Sequence, residues 1–199
     1  KLILSIKNND KVVKYLDIPL QHVNNQILKK MNRQISKEDI ENLISILRKE
    51  IPGIILRTTF IVGFPGEDDS SFDELYKFIE SAKFDKLGVF TYSREEGTPA
   101  NNFNNQVDEA VKEYRRNRIM ELQQGISYSL NKEKVGNVYE TLVENVYEDG
   151  LYIGRSYMDS PDIDGILYIR SDKPLEIGQF VNVLVTDCLE YDLIGEIIE

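Results

Sequence analysis

Residues 54–69 read IILRTTFIVGFPGEDD, and this stretch decides the fold of the amino-terminal part of the chain. Its first ten residues are rich in β-branched and apolar side chains, which is typical of a strand. Because apolar and polar residues do not alternate strictly, we expect a central strand covered on both faces. Gly63, Pro65 and Gly66 follow and predict a tight turn, where the backbone can approach a ligand without an intervening side chain.

Strands and helices alternate on both sides of this stretch. Apolar runs at residues 15–20 and 87–92 predict two further strands. The two segments between the strands have apolar residues at helical spacing, and they begin with capping patterns that open at Ser36 and Ser70. This order predicts an α/β unit with parallel strands and right-handed crossovers. Three such units are too few to close a barrel, so we expect part of one.

The pattern changes near Gly136. Residues 107–135 predict a long polar helix, and the remaining sequence contains five short β-rich runs separated by Gly, Asp and Pro. Short, regularly spaced strands of this kind are typical of a small all-β barrel of the OB-like type. We therefore expect two domains, residues 1–135 and residues 136–199.

The negative charge is concentrated in the second of these domains. The formal net charge of the chain is −10. Residues 136–199 hold 14 acidic and 3 basic residues, a net charge of −11, and the remaining residues carry +1. Phosphates repel such a segment, so direct nucleic-acid binding by it is disfavoured. A basic protein partner and a solvated surface that serves solubility are the two alternatives.

Composition also limits the setting and the chemistry. No run approaches the roughly 18 apolar residues of a membrane span, and the start is too short for a signal peptide, so we expect a cytoplasmic protein without membrane contact. The one cysteine, Cys188, excludes an internal disulfide and a cysteine-rich metal site made by this chain alone. Its apolar surroundings predict a buried thiol. His22 is the one histidine and cannot form a histidine cluster.

Ligands in an α/β layer bind beyond the carboxyl ends of the strands. The three strand ends here read PLQHV, GFPGE and YSREEGTPA. Arg57 interrupts an apolar strand, and a buried guanidinium requires an anionic partner. A bound ligand and an internal carboxylate such as Asp17 are equally open from the residues alone. Arg94 and Glu96, after the third strand, fit either a site or a solvated loop.

Three of these strings, RTTFIVGFPGE, FTYSREEGTPA and PLQHVNNQILKKMNR, resemble the second half of a radical S-adenosylmethionine barrel of the methylthiotransferase group. The strings YIGRSYMDSPDIDG and VTDCLEYDLIGE resemble the TRAM domain of its RimO-type branch. The resemblance runs through nearly the whole chain. It implies an α/β partial radical SAM barrel followed by a five-stranded TRAM barrel. The activity that it implies is addition of a methylthio group to the β-carbon of an aspartate in protein twelve of the small ribosomal subunit.

The resemblance also implies which residues meet S-adenosylmethionine. Arg57 would bind the methionyl carboxylate, and the backbone from Phe90 through Thr91 to Tyr92 would form a wall of the adenine site. Arg94 and Glu96 would lie near the mouth where the substrate enters. The full set of implied cofactor contacts is Gln21, Arg57, Thr59, Gly63, Pro65, Gly66, Glu67, Phe90 and Tyr92.

Two 4Fe-4S clusters are further implied. In the family, one is held by a C-x-x-x-C-x-x-C loop after the first barrel strand and the other by an amino-terminal domain. Neither feature is present in this sequence, which has one cysteine. We therefore expect this chain to be the carboxyl-terminal part of such an enzyme, with no metal ligand or catalytic residue of its own and no activity alone.

The loop at residues 159–164 is acidic, and its charge indicates which kind of partner the chain binds. A transfer-RNA-modifying relative requires a basic TRAM surface, whereas a basic ribosomal protein favours an acidic one. Asp159, Asp162 and Asp164 are the expected docking residues, and capping of a turn by at least one of them is the alternative. A transfer-RNA adenosine methylthiotransferase and a non-catalytic protein-binding module remain as alternative functions.

Overall fold

The computed structural model describes residues 2–198. Their contacts form two compact units: residues up to 12 together with 16–123, and residues 13–15 together with 124 onward. The expected domain boundary after residue 135 stays a prediction. The elements of the first unit, the last of which runs on into the second, are α1 (Leu2–Lys7), β1 (Tyr15–Gln21), α2 (Asn25–Lys30), α3 (Lys37–Glu50), β2 (Ile55–Val62), α4 (Asp69–Ala82), β3 (Lys86–Thr91), a 3-10 turn (Pro99–Asn102) and α5 (Glu109–Lys132).

The first unit contains a three-stranded sheet in the order β1-β2-β3. Strands β2 and β3 are parallel, with Thr59 opposite Gly88 and Ile61 opposite Phe90. Helix α4 connects them, as the alternating pattern predicts. The expected partial α/β barrel is confirmed, whereas the short helix α1 was not expected from the sequence.

The central strand β2 is covered on one face, so the expectation of burial on both faces is wrong. Leu56, Thr58, Phe60 and Val62 are fully buried. Residues 57, 59 and 61 alternate with them and are partly exposed. Successive side chains of a strand point to opposite faces, so this alternation defines an open face of the sheet. The apolar Ile61 on that face and the polar Thr58 on the buried face concealed the alternation in the sequence.

The buried face is held by aromatic packing. Phe60 lies with its ring centroid 6.4 Å from that of Phe78 and 6.0 Å from that of Phe84, in edge-to-face arrangements. All three rings are almost completely inaccessible to solvent. Burial of such rings contributes about 1.5–3 kcal/mol each, so this cluster fixes α4 against the sheet.

One of the two predicted helix caps is confirmed and the other is wrong. Ser36 caps α3, and Asp39 completes a capping box, as predicted. The prediction at Ser70 is wrong, because Asp68 caps α4 and forms its capping box with Ser71. Asp68 accepts the Ser71 amide at 2.8 Å, and hydrogen bonds from the Ser71 hydroxyl and amide lower the pKa of Asp68. Two overlapping patterns of similar composition made the sequence ambiguous at this position.

The second unit contains a closed five-stranded barrel in the order β4-β5-β6-β8-β7, which confirms the predicted barrel. Close packing at Gly195 leaves no space for a β-carbon, which would overlap the Leu184 carbonyl oxygen. Cys188 is buried, and desolvation, reinforced by Asp187, raises the pKa of its thiol. The strands are β4 (Val138–Glu148), β5 (Leu151–Arg155), β6 (Leu167–Arg170), β7 (Phe180–Cys188) and β8 (Leu193–Ile197).

Among residues 2–198, none of the helices has an apolar stretch long enough to cross a membrane.

A buried ionic network lies behind the turn that follows β2. The Glu67 side chain is completely buried, accepts the Gly63 amide at 3.0 Å through Oε2 and accepts Arg115 Nη1 at 2.9 Å through Oε1. Arg115 is itself 4% exposed and also donates to Asp69 at 2.7 Å. This network closes the turn and joins it to α5.

His22 completes the surroundings of Glu67. Its Nδ1 accepts the Asn24 amide at 2.9 Å, so that nitrogen carries no proton and Nε2 is the protonated position of the neutral ring. Nε2 lies 3.3 Å from Glu67 Oε2 and has no hydrogen-bond partner among the described residues. We therefore assign the charge compensation of Glu67 to Arg115.

Replacement of Arg115 by Met is expected to destabilise the chain by about 3–5 kcal/mol, because it leaves the Glu67 carboxylate buried without its cation. The control is Arg116→Met, which removes an exposed pair with Glu113 at 3.3 Å and is expected to cost less than about 0.5 kcal/mol. Urea unfolding of both variants measures the difference. Equal losses would contradict the assigned role of Arg115.

Candidate functional site

A cavity of about 1020 Å³ opens on the exposed face of the sheet. Its volume is at the upper end of the range that small-molecule ligands occupy in proteins, about 300–1,000 Å³. Thr59 and Ile61 of β2 and Phe90 of β3 line the cavity from the sheet. The walls come from the segments after the strands and from the end of α2, including Phe64, Tyr92, Ser93, Phe103 and residues 29–33 and 98–100.

Gln21 lies at the end of β1 and lines this cavity. Its φ is 72°, in the left-handed region that non-glycine residues rarely adopt. The next residue, His22, is completely buried. This backbone turn therefore separates two side chains, with Gln21 on the cavity and His22 in the polar network. Such backbone outliers concentrate at functional sites, which makes Gln21 a candidate for ligand contact.

Aromatic rings line one side of the cavity. The Phe64 centroid lies 5.1 Å from that of Tyr92 and 6.3 Å from that of Phe103. The Tyr92 hydroxyl is buried and has no hydrogen-bond partner among the described residues. A buried polar atom without a partner is costly, and a ligand that accepts or donates a hydrogen bond offsets this cost.

Lys112 fixes the backbone where β3 ends. Its Nζ donates to the Tyr92 carbonyl at 2.9 Å, and the side chain is 3% exposed. The aliphatic part of Lys112 passes over Gly63, where a β-carbon would overlap Lys112 Cγ. Gly63 also has a φ of 72°. Close approach and backbone conformation therefore both require glycine at this position.

A second cavity, of about 410 Å³, lies on the other side of Lys30 and is lined by Pro65 and residues 102–105. Gly66 has a φ of 88°, and a β-carbon there would overlap Lys30 Nζ. The positive φ favours glycine at 66, and the ammonium of the flexible Lys30 side chain lies against it. The predicted turn thus borders this cavity through Pro65, and the Lys30 ammonium lies against its backbone at Gly66.

The structure brings four of the predicted cofactor contacts together at the larger cavity: Gln21, Thr59, Phe90 and Tyr92. Arg57 is not among the lining residues. Its Nη1 donates to Asp17 at 2.7 Å, with the two side chains 21% and 41% exposed. The internal carboxylate, one of the two alternatives for Arg57, is thus present in the structure.

Three other residues predicted for the site do not line the larger cavity: Glu67 and Arg94 bond to groups of the protein, and Glu96 is exposed. The Glu67 side chain belongs to the buried network and faces away from solvent. Arg94 donates through Nε and Nη2 to the carbonyl of Asn101, at 3.0 and 2.7 Å, and so holds the loop that borders the cavity. Glu96 is exposed and does not line either cavity. Substrate contact by Arg94 and Glu96 stays a prediction.

The three aspartates of the barrel loop differ in their surroundings. Asp159 is 9% exposed and accepts from the Ser156 hydroxyl at 3.2 Å. Asp164 accepts the Ser160 amide at 2.8 Å. Asp162 is exposed, with a φ of 62°. Asp164 thus caps the loop, as the alternative interpretation expects, and Asp162 is the one of the three whose charge is fully presented to solvent.

Sequence reasoning missed the cations of the cavity. Lys29, Lys30 and Arg33 all line it, and all three are exposed. Their signal was the KKMNR string, which also fits the basic end of a helix and so was not singled out. Arg115 and Lys112 were missed because they lie on α5, far along the chain from the strand ends that they support.

The described residues offer no metal site. Within residues 2–198, no group of three His, Cys, Asp or Glu side chains is close enough to hold a metal ion. The larger cavity is lined by both polar and apolar side chains.

Comparison with family models gives two matches. Residues 1–79 match the radical SAM superfamily, and residues 135–198 match the TRAM domain.

Curated relatives match over nearly the whole chain. The ribosomal protein uS12 methylthiotransferase RimO of Acetivibrio thermocellus is 55% identical over 199 residues, which is 100% of this chain and 44% of the relative. The proteins of the same name from Thermoanaerobacter sp. and Clostridium botulinum are 52% and 55% identical over 98% of this chain and 44% of theirs. The chain thus spans less than half the length of these relatives.

Among solved structures, coproporphyrinogen III oxidase (HemN) from Escherichia coli, described as a radical SAM enzyme, aligns with a TM-score of 0.41 and 16% identity. The alignment covers 72% of this chain and 41% of that one. A likeness at this level supports no further conclusion. The sequence matches carry the identification: the chain comprises a radical SAM segment and a TRAM domain, and it is a relative of the RimO-type methylthiotransferases.

Proposed function

We propose that this chain is part of a radical SAM methylthiotransferase that modifies an aspartate of ribosomal protein uS12. The names of relatives with 52–55% identity support the activity and the substrate. The observation in the structure that carries the proposal is the cavity on the open face of the sheet. Ligands of α/β sheets bind at this position, beyond the strand ends.

The cavity suits S-adenosylmethionine in chemistry as well as in size. Ile61 and Phe90 offer apolar surface for an adenine ring, and Phe90 is 63% exposed in the described chain. Gln21, Thr59 and Tyr92 add polar groups for the ribose and the amino acid part. In radical SAM enzymes the bound cofactor supplies the radical chemistry, and the residues here bind and orient it. Contact of the cofactor with the backbone of Gly63, Pro65 and Gly66, and of Arg57 with the methionyl carboxylate, stays a prediction, because none of these four residues lines the cavity.

The described residues do not provide ligands for the two implied 4Fe-4S clusters. Cys188, the one cysteine, is buried in the TRAM barrel, and its raised pKa makes it a poor thiolate ligand. These residues do not fit an iron–sulfur cluster. The proposed role of this chain is therefore binding of S-adenosylmethionine and of the protein substrate.

The barrel suits a basic protein partner. Residues 136–199 carry a net charge of −11. The exposed acids are spread over several strands and loops rather than confined to residues 159–164; they are Glu140, Glu148, Asp149, Asp162, Asp172, Glu176, Asp187, Glu190 and Glu196. Complementary charge of this kind speeds encounter with a basic ribosomal protein and repels transfer RNA. We place this function in the cytoplasm, where ribosomal proteins are made.

Isothermal titration calorimetry tests the cofactor part of the proposal. We expect the chain to bind S-adenosylmethionine and Phe90→Ala to weaken binding about tenfold, because stacking of a base on an aromatic ring contributes about 1–3 kcal/mol. The control is Ile46→Ala, which truncates another exposed apolar side chain, on α3, and should leave the affinity unchanged. Equal affinities of the two variants and the wild type would contradict binding at this cavity.

Stopped-flow binding to uS12 and to transfer RNA tests the partner. Three acids, Glu148, Asp149 and Asp172, lie close together because the Ser171 amide donates to the Gly150 carbonyl at 3.0 Å. Changing these three to their amides should lower the association rate with uS12 several-fold and flatten its salt dependence, since exposed charges act over a Debye length of about 8 Å. Transfer RNA should not bind. Salt-independent uS12 rates, or tighter binding of transfer RNA, would contradict this partner.

A further inference from the structure

We propose that Lys29, Lys30 and Arg33, here called the basic rim, form a carboxylate-recognition site at the mouth of the larger cavity. This inference rests on the proposed function and adds the chemistry of the group that is recognised. The ligand class is an organic carboxylate, either the side chain of the substrate aspartate or the methionyl carboxylate of the cofactor.

The distribution of charge at the cavity carries the inference. The chain as a whole has a net charge of −10. The described residues that line the cavity nevertheless include these three cations and neither Asp nor Glu. Across residues 2–198 none of the three cations pairs with a carboxylate of the chain. Concentrated positive charge in a cavity of an acidic protein selects anionic ligands.

The backbone holds the basic rim in a defined position. Asn24 caps α2 by accepting the amides of Gln26 and Ile27. Ile27 and Leu28 of this helix are completely buried and anchor it in the core. After the helix, Asn32 adopts a φ of 58°, and the Arg33 amide donates to the Leu28 carbonyl at 2.9 Å. This left-handed turn brings Arg33 back beside the two lysines, so that three cations share one edge.

Lys30 lies beside both cavities and against the turn after β2. Its ammonium lies over Gly66, where any β-carbon would overlap it, and Lys30 lines both cavities. An ammonium placed against backbone, without an internal carboxylate, retains hydrogen-bond donors for a ligand. Arg33 adds a planar guanidinium, which binds carboxylates in a bidentate manner.

A simpler role for the two lysines is compensation of the helix dipole at the end of α2. That role requires only that the cations lie in the last turn. It accounts neither for Arg33, which lies beyond the helix, nor for the orientation of all three residues toward one cavity. Dipole compensation also predicts a loss of stability on substitution without any effect on ligand selection, so the two roles are separable.

The position of the basic rim favours the substrate as the source of the carboxylate. Lys29, Lys30 and Arg33 are exposed, whereas Thr59 and Ile61 on the sheet are more enclosed. The small-molecule cofactor is expected on the sheet, and the aspartate of a protein substrate is expected at the more exposed edge. A cationic edge at the opening would orient an aspartate side chain toward the cavity.

Two matched pairs of compounds test this inference in the ¹⁵N-labelled chain by NMR titration. The first pair is N-acetyl-aspartate methylamide and N-acetyl-asparagine methylamide. The second is S-adenosylmethionine and decarboxylated S-adenosylmethionine. The shifts of the Thr59 and Thr91 amides report binding at the cavity. We expect the carboxylate member of one pair to bind at least about fivefold more tightly, as exposed ion pairs allow.

Substitutions assign this preference to the basic rim. The double variant Lys30→Met and Arg33→Met should bind both members of that pair equally. The control, Lys77→Met, removes an exposed lysine on α4 that does not line the cavity and should keep the wild-type preference. The pair that shows the preference identifies the source of the carboxylate.

The other possible results either overturn the inference or separate it from the proposed function. The inference is overturned if the wild type prefers neither carboxylate, if no compound binds, or if the double variant keeps the preference. Binding of S-adenosylmethionine without a preference in either pair would overturn the carboxylate site and leave the proposed function intact. Preference for the aspartate compound with no binding of either adenosine compound would leave the carboxylate site intact and contradict the proposed function.

Discussion

The buried carboxylate of Glu67 is the constraint on which the candidate site depends. A charged group without solvent contact is costly unless cations and hydrogen-bond donors surround it. Here Arg115 and the Gly63 amide meet that requirement, and His22 lies beside it. The turn after β2, the start of α5 and the end of β1 are thereby brought to one point. Two of these segments also line the cavity, through Gln21 at the end of β1 and Phe64 in the turn after β2.

The open face of the sheet is the second feature on which the candidate site depends, because the larger cavity lies on it. Residues on one face of β2 are fully buried, and Thr59 and Ile61 on the other face line a cavity that has three cations at its edge. The second unit is a closed barrel with an acidic surface. The two units thus present opposite charge to their ligands, as expected if one binds carboxylates and the other a basic protein.

Local patterns in the sequence were sufficient for most of the fold. The β-branched run of β2, the capping box at Ser36 and the five short strands of the barrel each depend on neighbouring residues, and each was predictable. Asp68 was missed because two capping patterns overlap there. The Arg57 pair with Asp17 joins residues 40 positions apart, so the sequence could only offer it as one of two alternatives.

The candidate site was predictable to a smaller extent. Strand ends identified Gln21, Thr59, Phe90 and Tyr92, because ligands of α/β sheets bind there. The sequence predicts cofactor contact for Glu67 but does not reveal its buried partner Arg115, because that cation comes from α5 and has no local signal. The aspartates of the barrel loop were grouped by sequence, whereas burial and hydrogen bonds separate Asp162 from the other two.

Amide hydrogen exchange of Gly63 in wild type and Glu67→Gln tests most directly whether the buried carboxylate holds the site together. Loss of a charged hydrogen bond is worth about 1.5–3 kcal/mol, so exchange at Gly63 should accelerate about tenfold or more while the amide of Phe60 stays protected. Glu80→Gln, an exposed change on α4, should leave Gly63 exchange unaltered. Unchanged exchange at Gly63 in Glu67→Gln would contradict the account.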